Sequence, residues 1–388
     1  MLLIVSQGAR LAGPTMALLL LAALWPTEIF GLFASAYALA SLLGLLPATG
    51  LSAWILDRSA RQPAAARAIL CRAWLIDTIL GLVAMGIALG VSALLPDYPL
   101  AVLPALTLAM LLAGAADNGF AALRAQKREA AVTAIALPAN IGLLAVAALL
   151  HTDGAAAIAF AWAGIRAMQV FALGWAAMRT LPPAALPAPP LAQIWPFFGS
   201  QAAGVVYGQA DTLLVHALAG EMAAGLYNIA TRLLQLASFV AQTLAQWFQP
   251  RLAASPAGTA SWLDQRRFLW LGLGSTAFAG FVGFVVLLPL ALPHALGASY
   301  AEAGPVIQVA GLVLAARCVV AGQWIELTAR EQEAQRAWNS WLLLALFLAL
   351  AWPLTLELGA IGAMTAHLLA LGPIAALSSR SLARARHG

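Results

Sequence analysis

The sequence predicts an all-α polytopic membrane protein with twelve transmembrane helices in two six-helix bundles and both termini in the cytoplasm. The first observation behind this prediction is composition, because 63% of the 388 residues are hydrophobic and only 9% are charged. An average soluble domain is about 45–50% apolar and about 25% charged. The polar side chains are therefore too few to cover a water-soluble globule, which excludes soluble, disordered and disulfide-rich secreted proteins.

The second observation is the recurrence of apolar segments long enough to cross a bilayer, which takes roughly 20 residues per helix. Twelve such segments follow one another along the chain. They cover residues 2–24, 31–56, 68–95, 100–122, 130–150, 155–178, 192–218, 226–250, 268–291, 304–326, 338–356 and 360–379.

The third observation is the distribution of basic residues, which indicates the orientation. Fifteen of the twenty lie in alternate connections: Arg58, Arg61, Arg67, Arg124, Lys127, Arg128, Arg179, Arg251, Arg266, Arg267, Arg330, Arg336, Arg380, Arg384 and Arg386. The other connections hold only acidic charges. This split is the positive-inside pattern, which places the basic loops and both termini in the cytoplasm. The net charge of +5 is then a topology signal and does not indicate a nucleic-acid site.

The stretch "RTLPPAALPAPP" at residues 179–190 divides the chain into two halves of six segments each. Its five prolines cannot continue a helix, so residues 1–178 and 191–388 are predicted to be separate bundles. A weak internal sequence repeat supports two related halves: "GLFASA" begins at Gly31, and "GLYNIA" begins at Gly225, 194 residues later. Halves of this kind place a substrate site at their interface near the midplane of the bilayer.

Several kinds of chemistry are excluded by the short connections. The only lysine, Lys127, is not in a Walker A motif, and the chain has no HExxH motif. The five histidines are scattered without metal-ligand spacing. We therefore expect no metal and no cofactor. The functions that remain are the transport of a solute and chemistry at a site buried in the membrane.

Five arginines fall within predicted spans, where each costs about 2.5–3.5 kcal/mol if it faces lipid at the centre of the bilayer. Arg72 is one turn from a cytoplasmic end and is expected to snorkel to the interface. For Arg10, snorkelling and a cavity position both stay open. Arg166 and Arg317 lie near mid-span and are expected to face a cavity.

The eighth span carries a polar stripe along its whole length, which predicts one hydrated face. The stripe consists of Asn228, Thr231, Arg232, Gln235, Ser238, Gln242, Gln246 and Gln249. Its alternative interpretation is a helix–helix interface held by polar side chains.

Three aspartates within the predicted spans are candidates for ion coupling: Asp77, Asp117 and Asp211. Asp211 shares a face of the seventh span with Tyr207, and it is expected at a depth similar to that of Arg232 on the next span. A structural ion pair with Arg232 is the alternative for Asp211, and hydrogen bonds to neighbouring helices are the alternative for the other two.

Two stretches resemble the polysaccharide and O-antigen flippases of the multidrug/oligosaccharidyl-lipid/polysaccharide (MOP) exporter superfamily. One is "TEIFGLFASAYALASLLGLLPATGLSAWIL", and the other is "GQADTLLVHALAGEMAAGLYNIATRLLQLASFVAQTLAQWFQPRLA". In the second, Asp211, Gly225, Tyr227 and Pro250 hold positions typical of that family. The near absence of lysine is a departure, and it means that any cation in a cavity must be arginine.

The resemblance implies alternating access in a bacterial inner membrane, with an undecaprenyl-pyrophosphate-linked oligosaccharide as substrate. Arginine binds phosphate oxygens bidentately, so we expect a cationic lumen formed by Arg10, Arg166, Arg232 and Arg317. The glycan path would be lined by Tyr207, Gln235 and Gln242. Expected partners are membrane lipids and a glycan polymerase or glycosyltransferases, and no nucleic acid.

Four other functions stay open at this point. A drug or organic-cation antiporter of the same superfamily is disfavoured because in-span arginines outnumber in-span aspartates. A peptidoglycan-precursor flippase would have a similar basic cavity and extra spans. An intramembrane acyl- or glycosyltransferase would need a His/Asp or paired-carboxylate cluster, and a scaffold would have no use for a full-length polar stripe.

Overall fold

A computed structural model describes residues 2–48, 50–183, 195–255, 258–296, 298–330 and 332–384. Within these ranges the regular structure is helical and contains no strand. The helices are α1 (Leu2–Leu24), α2 (Thr27–Ala48), α3 (Leu51–Arg61), α4 (Ala66–Leu94), α5 (Leu103–Ala125), α6 (Glu129–Leu150), α7 (Ala155–Thr180), α8 (Trp195–Tyr207), α9 (Ala210–Ala254), α10 (Ala260–Val282), α11 (Leu288–Leu296), α12 (Gly304–Ala329) and α13 (Glu333–Arg384).

Within the described residues, each of the twelve predicted segments lies mainly on helix, which confirms the all-helical class. In the described part of the chain, nine helices are long and apolar enough to cross a membrane. Two of these run over 49 and 51 residues, more than twice the length that a span needs. Each contains one glycine with a positive φ, Gly220 at 84° and Gly359 at 59°, where the chain turns between two helices. The count of twelve spans and the cytoplasmic termini stay predictions.

Two predicted segments are interrupted in the structure. The second is divided near Gly50, whose φ of 83° is a left-handed conformation that glycine adopts without steric cost. The seventh is divided after Tyr207, where a turn at Gly208 and Gln209 separates α8 from α9. At the start of α9, the Asp211 carboxylate accepts a hydrogen bond from the Thr212 backbone nitrogen at 2.6 Å, a local interaction that competes with helical pairing.

The chain folds into two compact units. Unit 1 contains the chain up to Leu24 together with Leu32–Leu213, and unit 2 contains Trp25–Gly31 together with the chain from Leu214 onward. Residues 184–190 of the expected proline-rich linker lie outside the described ranges, so the boundary at 179–190 stays a prediction.

Unit 1 has an apolar core and an apolar outer surface. Side chains of α3, α4, α5 and α7, among them Trp54, Ile69 and Leu70, pack into one buried cluster. On the outside, Leu82 is 70% exposed and Phe171 is 78% exposed. Large apolar side chains this exposed, on many helices, mark a surface that is solvated by lipid rather than by water.

Helix α6 packs against both α1 and α7 within unit 1. The Trp162 indole nitrogen donates to the Leu143 carbonyl at 3.2 Å, which fixes the register of α7 on α6. The Asn140 side chain occupies the space where a Cβ atom on Gly13 would lie. Gly13 and Asn140 are therefore at one level of the unit.

In unit 2, the first turn of α2 crosses α9 at two glycines. A Cβ atom on Gly31 would lie 2.9 Å from the Gly225 backbone nitrogen and would overlap the Glu221 carbonyl. A Cβ atom on Gly225 would lie 3.0 Å from the Thr27 Cγ2 atom. These two glycines begin the two copies of the weak internal repeat, "GLFASA" and "GLYNIA". The repeated glycine therefore lies where the backbones of α2 and α9 come into contact.

Helix α10 fixes the register of its neighbours in unit 2. Gly272 of α10 contacts Leu244 of α9, and Gly322 of α12 contacts Trp270 and Leu273 of α10. Leu244 and Gly322 therefore lie at about the same level along the unit.

The Gly31→Ala substitution is expected to destabilise the protein by about 1–3 kcal/mol, the usual cost of overpacking, because its neighbours are backbone atoms that cannot move aside. The measurement is the unfolding temperature of the purified protein in detergent. The matched control is Gly86→Ala, where no atom lies within 4 Å of the added Cβ and the helix gains propensity. Equal unfolding temperatures for the two variants would contradict the close crossing.

Candidate functional site

A cleft of about 310 Å³ lies within unit 2 between α9, α12 and the start of α13. Its polar and charged lining residues are Ser238, Gln242, Gln249, Arg317 and Arg336. Its other lining residues are Ala241, Ala245, Leu314, Cys318, Ala321, Trp324 and Ile325.

One wall of the cleft contains the C-terminal part of the polar stripe of the eighth predicted span, whereas Asn228, Thr231 and Arg232 at its N-terminal end are buried. Ser238, Gln242 and Gln249 are spaced by four and seven residues, which places them on one face of α9. The structure therefore brings Gln242, a predicted glycan-path residue, to the same cleft as Arg317, a predicted lumen residue.

The cleft carries two guanidinium groups, and no acidic residue is among its described lining. Arg317 is half-buried on α12. Arg336 donates from its Nη1 atom to the Thr328 hydroxyl at 3.1 Å. The Thr328 hydroxyl accepts this hydrogen bond without adding a negative charge. With two guanidinium groups and no acidic residue among its described lining, the cleft suits an anion.

The cleft covers about half the depth of a bilayer. Ser238 and Gln249 on α9 are eleven positions apart, as are Leu314 and Ile325 on α12. Eleven rises of 1.5 Å are about 16 Å, against about 30 Å for the hydrocarbon core. Arg336 is near the beginning of α13, beside the basic connection that is predicted to be cytoplasmic. One guanidinium therefore lies near the predicted mouth and the other near mid-helix.

Arg232 is in unit 2 but is not part of the cleft lining. Its side chain is 4% exposed, and it donates to the Asn228 amide oxygen at 3.1 Å and to the Gln235 amide oxygen at 2.9 Å. Leu244 of α9 and Gly322 of α12 lie at one level, and Arg317 precedes Gly322 by five residues. The level of Arg317 is therefore that of residue 239 on α9, and Arg232 lies seven residues, or about 10 Å, before it along the helix axis.

Arg166 in unit 1 has a similar environment. Its side chain is 8% exposed, and its Nη1 atom donates to the Gln169 amide oxygen at 2.6 Å. From the register of α7 on α6, Arg166 lies near the level of Asn140. Arg10 precedes Gly13 of α1 by about one turn and so is near the same level, although its side chain lies outside the described part of the chain.

The acidic candidates and Tyr207 are in unit 1. Asp77 is buried on α4, and its Oδ1 atom has no hydrogen-bond partner within the described ranges. Asp117 on α5 is half-buried, Asp211 is buried at the start of α9, and Tyr207 is half-buried at the end of α8. Asp211 thus belongs to unit 1 and Arg232 to unit 2. Their similar depth stays a prediction, and their ion pair stays the alternative to ion coupling by Asp211.

Two clusters were not predicted from the sequence. The Tyr227 hydroxyl and the His367 Nε2 atom form a buried hydrogen bond of 2.7 Å, with the Phe347 ring stacked on His367 at 4.1 Å between centroids. The fully buried Glu326 accepts hydrogen bonds from Arg266 and from Trp270. The only sequence signal for the second cluster is a glutamate, Glu326, at the end of a mostly apolar segment.

Solved structures with a similar fold include three transporters. They are an inward-facing multidrug resistance MATE family transporter of the MOP superfamily (TM-score 0.72, 13% identity, 100% of this chain and 95% of that one) and the lipid II flippase MurJ in an inward closed conformation (0.71, 12%, 96% and 86%). The third is a MOP superfamily transporter from Pyrococcus furiosus, described as having a binding pocket of reverse polarity (0.66, 11%, 98% and 94%). At these identities the likeness shows the fold alone.

In sequence, no curated protein matches the chain. The family model described as "polysaccharide biosynthesis protein" matches residues 2–254, about two thirds of the chain. The match begins in α1 and ends with α9, so it includes the polar stripe that forms one wall of the cleft. The chain is therefore a multi-pass membrane protein with the fold of MOP-superfamily transporters, and it belongs to the polysaccharide biosynthesis protein family.

Proposed function

We propose that this protein flips an undecaprenyl-pyrophosphate-linked oligosaccharide, such as an O-antigen or exopolysaccharide repeat, from the cytoplasmic to the external leaflet of a bacterial inner membrane by alternating access. The observation that carries the proposal is the cleft in unit 2, with Arg317 and Arg336 in its lining and no acidic residue among the described ones.

The chemistry of the cleft fits the headgroup of such a lipid. A pyrophosphate cannot cross hydrocarbon without counter-charges, and guanidinium groups bind its oxygens through paired charge-assisted hydrogen bonds. Hydroxyl and amide groups, as on Ser238 and Gln242, pair with sugar hydroxyls. A volume of about 310 Å³ is at the lower end for ligand pockets, so it suits the phosphate end of the substrate, while the lipid tail stays in the bilayer.

The order of the two guanidinium groups suggests a path. Arg336 would meet the phosphate near the cytoplasmic leaflet, and Arg317 would receive it about halfway along α12. Arg10, Arg166 and Arg232 are proposed to hold the phosphate later in the passage, with Gln235 and Tyr207 contacting the glycan. Amide oxygens accept hydrogen bonds from Arg166 and Arg232 and bring no negative charge of their own.

A multidrug or organic-cation exporter is the rival within the same fold. Such a protein needs acidic groups in its binding cleft, and the described lining here is basic. Ion coupling would fall to Asp211, Asp77 or Asp117, and we favour Asp211 because it is buried at the break between α8 and α9. If flipping by the Asp211→Asn variant responds to an ion gradient as flipping by the wild type does, Asp211 has no role in ion coupling.

The Arg317→Gln substitution is expected to lower the flipping rate roughly 10- to 100-fold, because a hydrogen bond to a charged group contributes about 1.5–3 kcal/mol. The measurement is the accessibility of a fluorescent undecaprenyl-pyrophosphate-linked oligosaccharide to a membrane-impermeant quencher in proteoliposomes. The control is Arg251→Gln, which removes one exposed charge at the end of α9, outside the cleft. Wild-type flipping in the Arg317 variant, or none in the wild type, would overturn the proposal.

The Gln242→Glu substitution separates the flippase from the cation exporter, because it places a carboxylate of nearly the same shape in the cleft. We expect flipping to fall about tenfold, since the new charge repels the phosphate, and we expect no gain in ethidium transport. The control is Gln62→Glu in an exposed connection. Retained flipping together with new or increased ethidium export would favour the exporter.

A further inference from the structure

A second basic site lies on α10, separate from the cleft of the proposed function. Five residues line a concave face of about 480 Å³: Leu263, Arg266, Arg267, Trp270 and Leu271. They follow the i, i+3, i+4, i+7 and i+8 positions of one helical face, and none of them lines the first cleft.

Arg266 is held in place by a buried acid. Its Nε atom donates to the Glu326 Oε1 atom of α12 at 2.7 Å, and the Trp270 indole nitrogen donates to the same oxygen at 2.6 Å. Glu326 is fully buried, whereas the Arg266 side chain is 32% exposed. The ion pair therefore fixes the guanidinium at its inner edge and leaves the outer edge on the surface.

The outer edge of Arg266 can still bind an anion. Within the described ranges, hydrogen bonding by Arg266 is confined to its Nε atom, and its other contact is with the Trp262 ring at 5.7 Å from the centroid. Both terminal amino groups are thus available to oxygen acceptors. Arg267 follows it in sequence and is exposed. The Arg330 guanidinium also lies over the Trp262 ring, 5.1 Å from its centroid.

The charge balance of this region is positive. Arg266, Arg267 and Arg330 supply three positive charges, against one negative charge on Glu326 and one on the exposed Asp264. Asp264 does not line the concave face. A guanidinium pair with a net positive field favours a phosphate, whose oxygens match the planar donors of arginine.

The position of the face indicates a lipid as the source of that phosphate. Arg266 and Arg267 immediately precede the predicted apolar segment 268–291, where headgroups are expected to meet hydrocarbon. Trp270 and Leu271 lie one turn deeper, where they can contact an acyl chain, and tryptophan is typical of this interface. Basic pockets between transmembrane helices on the cytoplasmic side bind anionic headgroups.

We infer that Arg266 and Arg267, oriented by Glu326 and Trp270, bind the phosphate of an anionic glycerophospholipid of the cytoplasmic leaflet. The site is a lipid-binding site on the outer face of α10, and it does not depend on which substrate the cleft between α9 and α12 carries.

The test is native mass spectrometry of the full-length protein in detergent, titrated with phosphatidylglycerol or with phosphatidylcholine. We expect the wild type to bind phosphatidylglycerol more tightly, and the Arg267→Gln variant to bind it about fivefold more weakly, the effect of one basic residue near an anionic headgroup. Arg128→Gln is the control, because it removes an exposed charge of unit 1 and should bind like the wild type.

A second variant addresses Arg266 without leaving a buried charge unpaired. Arg266→Gln combined with Glu326→Gln removes both members of the ion pair and is expected to weaken phosphatidylglycerol binding by about fivefold or more. Equal binding by the wild type, Arg267→Gln and the double variant would overturn the inference. Displacement of the lipid by an equal concentration of inorganic phosphate would assign the site to free phosphate and would also overturn it.

Discussion

The cost of placing a guanidinium group at bilayer depth is the constraint on which the rest of this structure depends. Each arginine at the centre of a span costs about 2.5–3.5 kcal/mol if it faces lipid, so each needs polar neighbours that the surrounding helices must supply. The chain meets this need with amides: Gln169 accepts from Arg166, and Asn228 and Gln235 accept from Arg232. These amides supply polar partners to the buried guanidinium groups without adding a negative charge of their own.

The two basic regions of unit 2 differ in the groups that surround their guanidinium groups. Around the cleft, Arg317 and Arg336 lie among hydroxyl, amide and apolar groups, an arrangement that suits a substrate whose phosphate enters and leaves. On α10, a buried carboxylate fixes Arg266 through its Nε atom, an arrangement that suits a lipid retained at one depth. Glu326 partly offsets the charge of Arg266, and Arg267 and Arg330 keep the balance of the second region positive.

Much of the fold could be predicted from the sequence, because apolar length and the position of arginine are local properties. The helical segments and the polar face of the eighth span follow from spacing alone, and so does the expectation that Arg317 and Gln242 face a cavity. The breaks at Gly50 and Gly208 could not be predicted, since glycine within a membrane helix is also common in unbroken spans. Three contacts between distant parts of the chain could not be predicted either, because each depends on helix register. They are the contact of Gly31 with Gly225, the position of Arg336 in the cleft and the pairing of Glu326 with Arg266.

The central claim is that the Arg317 guanidinium meets a lipid-linked pyrophosphate inside the cleft between α9 and α12. The most direct measurement is a cryo-electron microscopy structure of the wild-type protein with an undecaprenyl-pyrophosphate-linked oligosaccharide bound. The account predicts phosphate density within about 3 Å of the Arg317 terminal nitrogens, the length of a charge-assisted hydrogen bond, with sugar density next to Gln242. Headgroup density bound elsewhere on the protein, with the cleft occupied only by water, would contradict it.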